Sequence, residues 1–184
     1  MQPYRNEQQQ IIQSFCVVYL YQIQFVLQEI PTQKIQLSTN KVSVFIRRED
    51  LIHPFISGNK FRKLKYNLQQ AKSENQETLL TFGGAFSNHI AATAFAGKEY
   101  GFKTIGIIRG DELRDKISEN PTLQFAQECG MQFKFITREA YRHKTEADIL
   151  DNLKQEFGNF YLVPEGGTNE FAVKGCEEIL TEED

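Results

Sequence analysis

The sequence has no tryptophan, only three cysteines and no apolar run long enough to cross a bilayer. Cys16, Cys129 and Cys176 lie far apart and form no Cys-x-x-Cys pair, which excludes a disulfide framework and favours reduced thiols in a cytoplasmic protein. The three histidines do not stand at metal-ligand spacing from these cysteines. We therefore expect no metal site.

An excess of one charge is also missing. The 21 basic and 24 acidic residues are interspersed and leave a net charge of −3, so the sequence indicates neither a nucleic-acid partner nor an anionic membrane surface. Residues 1–23 are rich in glutamine and include a short apolar run without a signal-peptide cleavage site. We predict that 1–23 is an extension outside the core, with a membrane role as the alternative.

What is present is enough for a hydrophobic core, because 40% of the 184 residues are hydrophobic and 15 of them are phenylalanine. Residues 42–46 read as a strand that is followed by charged residues. Further strands are predicted at 78–82, 104–108, 131–136 and 160–163, with helical patterns between them. Continuous apolar strands separated by helices predict an α/β protein with a parallel sheet covered on both faces.

One lysine, Lys60, stands where a turn runs straight into a helical pattern. Ser57 and Asn59 are good capping residues, so we expect the helix to begin at or next to Lys60. The positive end of the helix dipole, the neighbouring Arg62 and Lys63, and partial burial would lower the pKa of Lys60 and favour the nucleophilic free amine. The alternative is that Lys60 belongs to the solvated face of an amphipathic helix.

A second stretch, residues 82–89, joins a predicted strand to a helix of small residues. Its two glycines permit close approach of the backbone, and Ser87 and Asn88 add hydrogen-bonding side chains beside free N–H donors. An anion such as a carboxylate could bind there, although the Gly-x-Gly-x-x-Gly spacing of dinucleotide sites is absent. The alternative is an ordinary turn with Ser87 or Asn88 as the cap and His89 as a packed or surface histidine.

Taken together, these two stretches resemble a known family. Residues 58–64 (GNKFRKL) and 82–89 (FGGAFSNH) look like the motifs of the pyridoxal-phosphate enzymes of the 1-aminocyclopropane-1-carboxylate deaminase and D-cysteine desulfhydrase family, in the tryptophan-synthase-β-like fold group. Residues 47–51 (RREDL) and 164–169 (PEGGTN) are similar to that family as well. Several ordered motifs agree in their spacing, which favours the functional interpretation of Lys60 over the solvated helix face.

The resemblance implies the roles of four residues. Lys60 matches the lysine that binds pyridoxal 5′-phosphate covalently and moves protons at the substrate α-carbon. Asn88 matches the residue that hydrogen-bonds the 3′-oxygen of the cofactor. Ser87, catalytic in this assignment, matches the turn that binds the substrate carboxylate, and Asn88 and His89 would contact the substrate in the same turn.

The resemblance also implies the reaction. A small amino acid would be the substrate: D-cysteine would give pyruvate, sulfide and ammonia, or 1-aminocyclopropane-1-carboxylate would give 2-oxobutanoate and ammonia. His89 looks more like the desulfhydrase branch, since the deaminases tend to have glutamine there. The alternatives are another fold-type-II lyase, such as a serine or threonine dehydratase, and a non-catalytic α/β module that binds a small anion.

The domain organisation follows from the same resemblance. We expect residues 24–60 to be the amino-terminal piece of a larger domain, 61–163 a three-layer small α/β domain of a fold-type-II pyridoxal-phosphate enzyme, and 164–184 the start of the returning larger-domain segment. The family's glycine-rich phosphate loop and a later tyrosine have no counterpart in this sequence. We therefore expect an amino-terminal half with an incomplete larger domain, which binds the cofactor poorly by itself, from a parent protein that forms a homodimer.

Overall fold

The computed structural model describes residues 30–36 and 42–180, so the predicted extension at 1–23 lies outside the described residues. The strands are β1 (Thr32–Ile35), β2 (Val44–Arg47), β3 (Thr78–Gly83), β4 (Lys103–Arg109), β5 (Gln132–Ile136) and β6 (Tyr161–Val163). The α-helices are α1 (Asn59–Ser73), α2 (Asn88–Tyr100), α3 (Pro121–Glu128), α4 (Arg138–Arg142), α5 (Ala147–Phe157) and α6 (Glu170–Glu177). Short 3-10 segments cover Glu49–Leu51, Asp111–Glu119 and Glu165–Gly167. None of the helices in these described ranges is long and apolar enough to cross a membrane.

Four strands form a parallel sheet in the order β5-β4-β3-β6. The two central strands, β3 and β4, are almost entirely buried, as expected for strands that are covered on both faces. The strands β5 and β6 form the two edges of this sheet. The predicted α/β class with a parallel sheet is therefore confirmed.

Successive side chains of a strand point to opposite faces of the sheet, so each face packs against its own set of helices. Leu79 packs in a cluster with α1 and α2, and that face continues into a second cluster formed with α3. Leu80 and Phe82 point the other way and pack with α4 and α5. The domain thus has the three layers that the sequence predicted.

A separate antiparallel pair, β1 with β2, precedes α1. The strand predicted at 42–46 lies at Val44–Arg47, whereas its partner β1 was not predicted. Phe45 and Ile46 are exposed on this pair, as is Val42 just before β2. The segment Asp111–Glu119 after β4 is 3-10 helical, and the short helix α4 follows β5.

The helices α1 and α6 are in close contact at Gly175. A Cβ atom added to Gly175 would overlap the backbone carbonyl oxygen of Arg62. The Arg62 side chain, 3% exposed, binds Glu49 through two hydrogen bonds of 3.0 and 3.1 Å and Glu178, the C-cap residue of α6, at 3.4 Å. These contacts fix the start of α1, where Lys60 lies, against two other segments of the chain.

We predict that Gly175→Ala destabilises the protein. Alanine normally favours a helix over glycine, but here the added methyl group meets backbone atoms that cannot move away. The free energy of unfolding from urea denaturation should fall by about 1–3 kcal/mol, whereas Glu177→Ala, an exposed change on the same helix, should alter it little. A Gly175→Ala protein as stable as the wild type would contradict this packing.

Candidate active site

The helix that carries Lys60 begins without a side-chain cap. Its N-cap residue is Gly58, with φ 59° and ψ −144°, a conformation that favours glycine. Neither Ser57 nor Asn59 caps the helix, so that part of the sequence prediction is wrong. Instead, the Gly58 N–H donates to the carbonyl oxygen of Glu49 at 2.9 Å, which holds the turn from outside the helix.

The Lys60 side chain is half-buried, and its Nζ donates a hydrogen bond to the carbonyl oxygen of Gly166 at 3.2 Å. Burial, followed by repulsion from the Lys63 ammonium, holds the pKa of Lys60 below its usual value, while the Cys176 side chain acts in the opposite direction. From the sequence, Arg62 was also expected to lower the pKa of Lys60. Its guanidinium instead binds Glu49 and Glu178. Lys60 is therefore biased toward the free amine, and the main cause is loss of solvent.

The turn that accepts the Lys60 hydrogen bond, residues 164–169, is fixed to α1 at several points. Lys63 Nζ donates to Thr168 Oγ1 at 2.9 Å. Asn67 of α1 donates to the side-chain oxygen of Asn169 at 3.1 Å and accepts from the Asn169 amide at 2.7 Å. This anchoring means that the position of Lys60 Nζ depends on a segment more than a hundred residues away.

The second predicted motif forms the start of α2. Ser87 is the N-cap, and its Oγ accepts from the Ile90 N–H at 3.4 Å. Within the described residues, no acceptor is found for the Ser87 hydroxyl proton or for the backbone N–H groups of Asn88 and His89. These donors at the positive end of a helix dipole can bind an anion.

Lys60 and Asn88 line the same cleft, which has a volume of about 350 Å³. The other lining residues are Phe55, Ser57, Gly58, Asn59, Ala91 and Ala92. Ser87 and His89 are next to the cleft in sequence but do not line it. The structure therefore brings the two motifs together, as the resemblance implied, with Lys60 and Asn88 as the side chains that share the open space.

His89 is a packed histidine, which is one of the alternatives that the sequence left open. Its side chain is 2% exposed, and its Nε2 lies 2.8 Å from Oγ1 of Thr81 in β3. Burial, together with the charges of Lys60 and Lys63, lowers the pKa of His89 to about 3. A direct contact between His89 and a substrate stays a prediction, and this placement does not favour it.

Sequence reasoning missed three groups that build the site: the Gly166 carbonyl, the Glu49 carboxylate and the Thr81 hydroxyl. The RREDL and PEGGTN motifs, which contain Glu49 and Gly166, were noted only for their resemblance to the family. Their contacts with Arg62 and Lys60 join residues distant in sequence, so periodicity could not reveal them. Thr81 is a polar residue within the apolar run of a buried strand, which was the one available signal.

The residues present fit the aldehyde and ring portion of a small aromatic aldehyde. An amine biased toward its free form can bind an aldehyde, and Asn88 offers an exposed amide beside it. The small side chains of Ala91 and Ala92 leave room next to the amine, and the cleft volume of about 350 Å³ is within the range of cofactor sites. The chemistry of the donor set is thus compatible with pyridoxal phosphate.

The fold is that of fold-type-II pyridoxal-phosphate enzymes. The structure aligns with the crystal structure of an ACC deaminase homologue with a TM-score of 0.70 and 27% sequence identity, covering 85% of this chain and 48% of that chain. The chain is a homologue of the 1-aminocyclopropane-1-carboxylate deaminase and D-cysteine desulfhydrase family, which confirms the resemblance inferred from the motifs. No protein-family model matches the chain.

Two curated relatives illustrate the homology. A protein named for 1-aminocyclopropane-1-carboxylate deaminase from Thermotoga maritima is 32% identical over 135 residues, which is 72% of this chain and 42% of the relative. The bifunctional mitochondrial D-cysteine desulfhydrase/1-aminocyclopropane-1-carboxylate deaminase of Arabidopsis thaliana is 28% identical over 151 residues, or 78% of this chain and 37% of the relative. The chain therefore matches less than half the length of these relatives.

We predict that Lys63→Gln raises the pKa of Lys60, because it removes the positive charge that disfavours the Lys60 ammonium. The acylation rate of Lys60, followed by peptide mass spectrometry against pH, should show its midpoint at higher pH in the variant. Lys98→Gln, an exposed change on α2, is the matched control and should leave the midpoint in place. An unchanged or lower midpoint in Lys63→Gln would refute the electrostatic contribution.

Proposed function

We propose that this chain carries the amine-bearing half of the active site of a pyridoxal-phosphate-dependent deaminase or desulfhydrase that acts on a small amino acid. The observation that carries the proposal is the Lys60 amine, half-buried with a lowered pKa, in one cleft with Asn88. A solvated lysine on a helix face would have neither the lowered pKa nor the shared cleft. Homology to the family supports the same reading.

Pyridoxal phosphate, when bound, supplies an electron-accepting ring for the substrate α-carbon. The Lys60 Nζ, whose pKa is lowered by burial, would take a proton from that carbon and return it. The Gly166 carbonyl orients Nζ through the hydrogen bond of 3.2 Å. Asn88 would hold the ring oxygen of the cofactor through its amide.

The substrate carboxylate would bind at the start of α2. The Ser87 hydroxyl and the N–H groups of Asn88 and His89 are donors without acceptors among the described residues. They sit at the positive end of the α2 dipole, which favours an anion. Binding the carboxylate there would hold the substrate beside the Lys60 amine, since Asn88 and Lys60 border the same cleft.

We further propose D-cysteine or 1-aminocyclopropane-1-carboxylate as the substrate, on the strength of the relatives named for these activities. The complete protein would be a cytoplasmic homodimer, a proposal that rests on the family resemblance and on the wide sequence spacing of the three cysteines. Assaying the complete gene product for sulfide release from D-cysteine and for 2-oxobutanoate from the cyclopropane acid would distinguish the two reactions. Activity on neither substrate would refute this part of the proposal.

We predict that, in the complete protein, pyridoxal phosphate fixed by borohydride reduction labels Lys60 and that Lys60→Ala abolishes the label in the cleft. The reason is that the free amine, not the ammonium, reacts with an aldehyde. Mass mapping of the reduced protein identifies the modified residue, and Lys72→Ala, on the same helix but away from the cleft, should keep the label on Lys60. Stoichiometric labelling of the cleft in Lys60→Ala would show that another amine binds the cofactor.

We predict that Ser87→Ala raises KM more than Ser87→Thr does in the complete enzyme, because alanine removes the hydroxyl donor whereas threonine keeps it. Loss of the N-cap should also lower the free energy of unfolding by about 1 kcal/mol. Steady-state kinetics and urea denaturation measure the two effects separately. Equal KM values for Ser87→Ala and the wild type would remove Ser87 from the carboxylate site.

A further inference from the structure

The His89 side chain is buried between three segments and does not belong to the cleft. Its Nε2 lies 2.8 Å from Thr81 Oγ1, and the Thr81 hydroxyl donates to the carbonyl oxygen of Val163 at 2.8 Å. Since the single hydroxyl proton of Thr81 is directed to Val163, Thr81 can only accept from His89. His89 Nε2 therefore carries a proton, which it donates to Thr81 Oγ1.

The other ring nitrogen faces the turn that holds Lys60. His89 Nδ1 is buried and has no hydrogen-bond partner among the described residues. A Cβ added to Gly167 would lie 3.3 Å from Cε1 and 3.5 Å from Nδ1 of His89. The imidazole thus packs directly under Gly167, and the preceding residue, Gly166, supplies the carbonyl that accepts from Lys60 Nζ.

We propose that His89 is a positioning residue for Lys60, acting through the Gly166–Gly167 turn. The ring is bound to Thr81 of β3 through its Nε2–H and packs against the Gly166–Gly167 turn. The turn holds the Gly166 carbonyl within hydrogen-bond distance of Lys60 Nζ. The His89 side chain therefore neither touches the substrate nor transfers a proton. The importance of this role for catalysis rests on the proposed function of Lys60, but the packing itself does not.

The charges around the ring require it to stay neutral. Lys60 and Lys63 of α1 face it and disfavour a second cation, and their effect adds to that of burial. Glu165 and the Pro164 carbonyl, in the turn itself, act in the opposite direction and are outweighed. A neutral His89 ring packs near Lys60 without adding a positive charge beside the Lys60 amine.

The first test is ¹⁵N NMR of the histidine rings in the full chain, with the His89 signals assigned by their loss in His89→Gln. The proposal requires a proton on Nε2, none on Nδ1, and no titration between pH 5 and pH 8. An Nδ1–H tautomer, or a midpoint near the usual histidine value, would overturn it.

The second test measures the acylation rate of Lys60 without cofactor at pH 8. We expect His89→Leu, which loses the bond to Thr81, to loosen the turn, expose Lys60 and raise its pKa. The acylation rate should then be about three to ten times lower, because less free amine is present. His89→Gln can still donate to Thr81 Oγ1 and should stay within about twofold of the wild type, a difference well below one pKa unit.

Thr81→Val removes the acceptor of the His89 proton and keeps the ring, so it should lower the Lys60 rate in the same direction as His89→Leu. If circular dichroism shows that His89→Leu does not fold, the Lys60 rate is measured in Thr81→Val alone. Unchanged Lys60 rates in a folded His89→Leu or Thr81→Val protein would overturn the positioning role. Because acylation needs no cofactor, that failure is distinguishable from a failure of Lys60 to bind pyridoxal phosphate.

Discussion

The ion pairs of the buried Arg62 guanidinium are the interactions on which the site depends. A charge that is 3% exposed must be paired, and Arg62 is paired with Glu49 before α1 and with Glu178 at the end of α6. Removing either carboxylate would leave a buried charge partly uncompensated, so the three segments are fixed together. Lys60 is two residues from Arg62, and its direction follows from this arrangement.

The site itself forms where three chain reversals meet. The start of α1 brings Lys60, the turn after β3 brings Asn88, and the turn after β6 brings the Gly166 carbonyl. Parallel strands place their carboxyl ends at one edge of the sheet, which is where such α/β folds bind ligands. The pairing of β3 with β6 therefore explains why the motifs at 82–89 and 164–169, about eighty residues apart, lie next to each other.

Local patterns were sufficient for part of this arrangement. The apolar runs of β3 and β4, the cap at Ser87 and the start of a helix beside Lys60 could be predicted because each depends on neighbours in sequence. The pairing of Arg62 with Glu49 and the burial of His89 under Gly167 could not, since both arise from contacts between distant segments. The assignment of the helix cap to Ser57 or Asn59 failed because Gly58 occupies the N-cap position and donates its N–H to the Glu49 carbonyl.

The edge strand β5 has a consequence for the behaviour of the protein in concentrated solution. Within the described residues β5 pairs only with β4, so its outer side could extend the sheet into a neighbouring molecule. Lys134 stands in the middle of β5, forms an ion pair with Glu156 and lies over the ring of Phe157. An incoming strand would have to desolvate that ammonium group, and the residue therefore opposes fibrillar stacking along this side.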